Sequence, residues 1–157
     1  MSSFDNIPKI SPDLDGKGLR IGIVIGRFNA NIGEGLLQSC LTELLARGVA
    51  ASDILVCKLP GALEMPLTLK TLAETGKYDA LIALGAVIRG DTYHFEVVSN
   101  EMAAGITRVQ LDCNIPVANG VLTTNTDEQA EVRMDVKGRE CAECAIEMAK
   151  LLRTIRA

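Results

Sequence analysis

Four short aliphatic runs, each followed by a stretch with helical spacing, constrain this chain more than any other feature. Leu19 to Ile25 runs into Gly26. Ile32, Leu36, Leu37, Cys40, Leu41, Leu44 and Leu45 then recur on one helical face and stop near Gly48. Ile54-Leu55-Val56-Cys57 is closed by Pro60-Gly61, and a helix through Leu63, Leu67, Leu69 and Leu72 reaches Gly76. Pro66 fits the first turn of that helix, where a missing N–H leaves no bond unmade. Ala80 to Leu84 ends in Gly85, and Gly90-Asp91-Thr92 opens a long helix over 93–111. Pro116 to Leu122 is the fourth run. Thr126 and Gln129 then spell a capping box for the next helix, and Ala145, Ile146, Met148, Leu151, Leu152 and Ile155 mark a last amphipathic one.

Strands that alternate with helices of roughly ten or more residues imply a parallel sheet with right-handed crossovers. The economical architecture is a three-layer α/β/α sandwich around a four-stranded parallel sheet, flavodoxin-like in plan. Such a core must be aliphatic here, because the chain holds three Phe, two Tyr and no Trp against a hydrophobic content of 48%. Val, Ile, Leu and Ala are what strands buried on both faces require. A length of 157 residues suits one domain. Residues 1–18, punctuated by Pro8, Pro12, Gly16 and Gly18, are expected to form an arm leading into a single domain over 19–157. That arm could extend the sheet by one strand, taken from or given to a neighbouring subunit.

The net charge is −4 and the basic residues are scattered, which argues against nucleic acid as a partner. Met1 to Ile10 holds no apolar run of signal-peptide length, and no stretch approaches the ~20 apolar residues that span a bilayer. Five cysteines without a signal are expected as free thiols in a reducing cytoplasm. Cys141 and Cys144 form a CxxC, but at i and i+3 of an evident helix, and with one histidine in the chain a zinc site lacks ligands. No metal is therefore expected. Gly33-Glu34-Gly35 starts too far past its strand for a dinucleotide fingerprint, and Gln38 occupies the third glycine's place.

In an open parallel sheet, ligands sit outside the carboxyl ends of the strands. After the first strand comes Gly26-Arg27-Phe28-Asn29, where Phe28 is either a platform for a flat ligand or a core or lid residue. After the second come Gly61 and Ala62, which let a ligand approach the backbone, and Glu64. Glu64 could accept hydrogen bonds from hydroxyls, although helix capping is the simpler role. After the third lies Gly85 to Glu96, the richest stretch. A glycine loop feeds a helix start, whose free N–H groups and dipole favour an anion. Thr92 adds a hydroxyl, and the sole histidine, His94, falls in the first helical turn, placed to carry protons near neutral pH. Asp91 opposes an anion by charge but can still offer its N–H. Arg133 and Lys137 could supply compensating charge, or simply line solvated helix faces.

The segments Gly26-Arg27-Phe28-Asn29, Pro60 to Pro66, Ala86 to Glu96, and Val121-Leu122-Thr123-Thr124 with Glu128-Gln129-Ala130 resemble, in this order, the lumazine synthase family. The resemblance runs from about Leu19 to the C-terminus. It implies a transferase of riboflavin biosynthesis that condenses a ribitylaminouracil with a four-carbon sugar phosphate. No cofactor is implied. Phe28 would stack on the pyrimidine, and Ala62, Leu63, Glu64, Ala86, Val87 and Ile88 would hold the pyrimidine and its ribityl chain. Asp91 and Thr92 would bind phosphate, and His94 would carry the proton. Asn119 and Arg133 would reach the site of the adjacent subunit of a homopentamer, Asn119 toward the pyrimidine and Arg133 toward the phosphate. Position 119, often aromatic in relatives, is Asn here. The segment after Arg133 is shorter than in shell-forming relatives, with Lys137 and Glu140 the candidate matches beyond it.

Two rivals share the fold pattern. One is a flavodoxin-like module that binds flavin without chemistry, which His94 beside the anion loop argues against. The other is a pentamer kept for flavin storage after losing activity, which the intact strand-end segments argue against.

Overall fold

The computed structural model describes residues 3–157. Four strands, β1 (Ile21–Gly26), β2 (Ile54–Leu59), β3 (Ala80–Ile88) and β4 (Val117–Thr124), form one sheet in the order β2-β1-β3-β4, every pair parallel. Five helices connect and cover them: α1 (Ala30–Ala46), α2 (Met65–Glu74), α3 (His94–Cys113), α4 (Asp127–Glu131) and α5 (Met134–Arg156). The order is that of a flavodoxin-like doubly wound sheet, with its topological switch between β1 and β3.

The two faces of the sheet bury separate apolar layers. On one, Ile21, Ile23, Ile25, Ile82 and Leu84 pack against Ile32, Leu36 and Leu44 of α1 and Ala142, Ala145 and Ile146 of α5. On the other, Val24, Leu81, Ala83 and Val121 meet Met65 and Leu69 of α2 and Met102, Ile106 and Val109 of α3. All six residues of β1 are buried, as a central parallel strand requires. No aromatic side chain is among the fully buried ones, so the core is aliphatic as its composition implies.

Local signals place the element ends. Gly48 (φ 99°) follows α1; its N–H donates to Leu45 O and the N–H of Val49 to Leu44 O. This Schellman pattern buries Val49 against the helix it ends. Pro66 does sit in the first turn of α2. Thr126 caps α4 by accepting from Gln129 N, while Gln129 Oε1 reaches past the expected partner to Asn125 N at 2.8 Å. The α1–α5 crossing is close because Gly138 lies against Leu36 O and Cys40 N.

One expected boundary is wrong. Gly85 was the expected end of the third strand, but β3 continues to Ile88 and pairs with β4 as far as Thr124. Gly85 is there for packing: a Cβ would meet the methyl of Met65 at 3.2 Å. Ala86, Val87 and Ile88 are therefore strand residues rather than a loop. Residues 3–18 form neither helix nor strand. They are tied to the domain by Gly16 N donating to Arg47 O and by an Asp13–Lys150 ion pair at 3.5 Å.

Candidate active site

At the carboxyl end of β1 the chain keeps one more bond to the sheet, Arg27 N to Leu59 O, and then turns outward. Phe28 is consequently 72% exposed, which removes a core role for it. Asn29 adopts the left-handed conformation (φ 55°) that Asn tolerates better than other side chains, and its Nδ2 donates to Ala86 O at 3.0 Å. The loop carrying Phe28 is thus anchored to β3. Gly61 makes room on the other side, since a Cβ would lie 3.1 Å from the Phe28 ring.

β3 outlasts its neighbour: pairing with β1 ends at Ile25↔Leu84, whereas pairing with β4 runs on to Ile88↔Thr124. Leu81 N and Arg89 N both bond toward β4, to Pro116 O and Thr124 O. Strand alternation then turns the main-chain groups of Ala86 and Ile88 toward the β1 side, beyond the last β1 partner. Next to them α3 begins at His94, whose N–H lies 3.4 Å from Thr92 Oγ1; no side chain caps this helix start.

These pieces enclose a cavity of about 330 Å³ lined by Phe28, Asn29, Gly61, Ala62, Leu63, Glu64, Ala86, Val87, Ile88, His94 and Val98. Its wall is mostly apolar or main chain, with Asn29, Glu64 and His94 the polar side chains. Glu64 occupies the position before α2 but makes no capping hydrogen bond. Its place at the helix start still lets its charge meet the helix dipole, and the residue also lines the cavity.

Eight of the expected residues therefore meet in one place. The others lie apart. Asp91 and Thr92 stand exposed on the segment leading to His94, outside the cavity lining. Asn119 is exposed on β4, where Oδ1 accepts from Val121 N at 2.9 Å and Nδ2 approaches Met102 Sδ at 3.5 Å. Arg133 precedes α5 and donates to Gln129 O at 2.8 Å, and Lys137 and Glu140 follow along that helix. Asn29 and Val98 went unassigned in the sequence. For Asn29 the available signal was an Asn between a strand and a helix, a favoured left-handed position.

Beside the cavity, the Arg89 guanidinium draws three segments together. Its Nε donates to Asn125 Oδ1 at 2.7 Å, its Nη1 to Glu96 Oε1 at 2.5 Å, and its Cζ lies over the Phe95 ring, 4.3 Å from the centroid. The hydrogen bond from Arg89 holds the Glu96 carboxyl below the ordinary carboxylate range.

Cys141 and Cys144 are on α5, one buried and one exposed, and all five cysteines are free. Among the described residues no cluster of His, Cys, Asp or Glu is placed to hold a metal, and no helix is long and apolar enough to cross a membrane.

The sequence is similar to those of known proteins over nearly its whole length. The chain is 58% identical over 156 residues to a 6,7-dimethyl-8-ribityllumazine synthase of Azoarcus sp. (strain BH72), covering 99% of this chain and 100% of the relative. It is 59% identical over 153 residues to the enzyme of the same name from Chromobacterium violaceum, covering 98% and 99%. With that of Laribacter hongkongensis it shares 61% over 148 residues, 93% of this chain and 94% of the other. The sequence pattern of the family itself matches residues 18–153, a span that takes in every strand, every cavity residue and the Arg89 cluster. The chain belongs to the 6,7-dimethyl-8-ribityllumazine synthase family.

Proposed function

We propose that this protein condenses 5-amino-6-(D-ribitylamino)uracil with 3,4-dihydroxy-2-butanone 4-phosphate, giving 6,7-dimethyl-8-ribityllumazine, phosphate and water. The observation that carries this is the meeting, in one cavity at the carboxyl ends of the strands, of an exposed aromatic ring, strand backbone beyond the last β1 partner and the only histidine. A pyrimidine has a flat face for Phe28 and an amide-like edge that can pair with main-chain groups at the end of β3, as another strand would. Glu64 can accept from ribityl hydroxyls. The uncapped start of α3, with Thr92 beside it, suits the phosphate. The amine attacks the ketone, water and phosphate leave, and the ring closes. Each step moves protons, and His94 at the cavity wall is the group to move them.

Asn119, Arg133, Lys137 and Glu140 lie outside the cavity of their own subunit. This fits their serving an adjacent copy in a homopentamer, with each site between two subunits. Exposed apolar side chains such as Leu67 (73%), Leu111 (78%) and Val132 (74%) supply surface for such contacts. In this reading residues 1–18 are an arm leading into the 19–157 domain. The five free thiols suit a reducing cytoplasm.

Holding two substrates in register removes roughly 7–11 kcal/mol of barrier, whereas one acid–base group gives about 10²–10⁴-fold. His94→Ala should therefore be slowed within that range yet stay above the uncatalysed reaction. The assay mixes both substrates and follows lumazine fluorescence against a protein-free control. A folded wild-type protein that only matches the control would overturn the proposed activity.

A further inference from the structure

The segment Gly90 to His94 has to hold its shape if it is to receive a phosphate and aim His94 at the cavity, yet its own side chains do little to fix it. Asp91, Thr92, Tyr93 and His94 are all exposed, and among the described residues the one side-chain hydrogen bond within the segment is the long one from His94 N to Thr92 Oγ1. What brackets it is Arg89. That residue sits at the end of β3 with its N–H on Thr124 O. Its guanidinium reaches across the segment to Glu96 and Phe95 in the first turn of α3, and sideways to Asn125 in the loop after β4. Asn125 is itself held, its N–H donating to Gln129 Oε1. One planar fork thus closes a ring around residues 90–95 and ties that ring to the end of the sheet.

As a surface ion pair between half-exposed groups, Arg89–Glu96 adds little to stability. Its value lies in geometry: a guanidinium can serve two acceptors in fixed directions while stacking on a ring, and an ammonium cannot. We propose that Arg89 is a positioning residue that, by gripping Glu96 and Asn125 at once, shapes the Gly90–His94 segment for the phosphate of the sugar substrate. This rests on the reaction proposed above.

Because His94 is the only histidine, its imidazole signals in a ¹H–¹⁵N spectrum report on this segment without interference and without turnover. The probe is inorganic phosphate, titrated into wild type, Arg89→Lys, Glu96→Gln and the double variant, with steady-state kinetics on both substrates alongside. Both single variants should need about tenfold more phosphate to shift the His94 signals. KM for the sugar phosphate should rise by a similar factor, with KM for the ribitylaminouracil within about twofold of wild type. The double variant should be no worse than either single one, since the pair acts as a unit. Unchanged phosphate midpoints, both KM values moving together, or an additive double variant would each overturn the positioning role. A wild type that turns over and binds phosphate while the variants match it refutes that role alone. A wild type that does neither refutes the proposed reaction, and the positioning role falls with it.

Discussion

Cys40 and Cys141 lie in the seam between α1 and α5, and neither takes part in the proposed chemistry. Burial pushes the Cys141 thiol up to about 12 and raises that of Cys40 further still, the nearby Cys141 adding to the shift. A folded thiol therefore keeps its proton at pH values where the unfolded one releases it. Stability from each is intact below the ordinary value of 9.0 and drains away as pH rises toward 12. At pH 10 the loss should be about 1.4 kcal/mol per thiol. Urea unfolding at pH 7.5 and pH 10 should show it, and Cys141→Ala should lose correspondingly less between the two. Equal losses in both proteins would show that the thiol does not set the alkaline limit. Single residues also mark where the sequence was legible and where it was not. The strand-end rule was enough to point to His94 and Phe28. The place of Glu64 in the cavity wall, and the grip of Asn29 on Ala86, depend on side-chain directions that no spacing encodes.

Among the elements, the α1–α5 packing carries the sharpest steric demand. A methyl at Gly138 would stand 2.9 Å from Ser39 Cβ and 3.2 Å from Cys40 N, pressing also on Leu36 O. Backbone cannot rotate aside as a side chain can. Alanine would gain about 1 kcal/mol in helix propensity, but overpacking costs about 1–3 kcal/mol. Gly138→Ala should therefore lower stability by up to about 2 kcal/mol, a fall of up to roughly 4–8 °C in thermal midpoint. A midpoint at or above wild type would mean that α1 shifts freely. Periodicity predicted the helices and the sheet because an aliphatic core leaves few other ways to bury such faces. It misplaced the end of β3, since glycine at position 85 looks the same in sequence whether it stops a strand or clears space for Met65. The capping box was legible at Thr126, but not the reach of Gln129 to Asn125.

For the molecule as a whole, the cavity and the residues outside it divide into two sets. His94 lines the cavity of its own chain, and Arg133 does not. On the proposed ring, each site takes His94 from one subunit and Arg133 from the next. His94→Ala and Arg133→Ala proteins, unfolded together and refolded as a mixture, would then leave about a quarter of the interfaces with both groups intact. The mixture should turn over faster than either parent, and Arg133→Ala alone should chiefly weaken use of the sugar phosphate. A mixture no better than the average of its parents would place both residues in one subunit's site. A last consequence follows from the overhang of β3 beyond β1. The groups it offers belong to the main chain, so they are the same whichever residues stand at 86 and 88. Any substitution there except proline alters the contour of the wall and leaves these donors and acceptors in place. On the proposed reading, descendants that drift at these positions keep the same contact with a bound ring, because it is passed on through strand register rather than through side-chain identity.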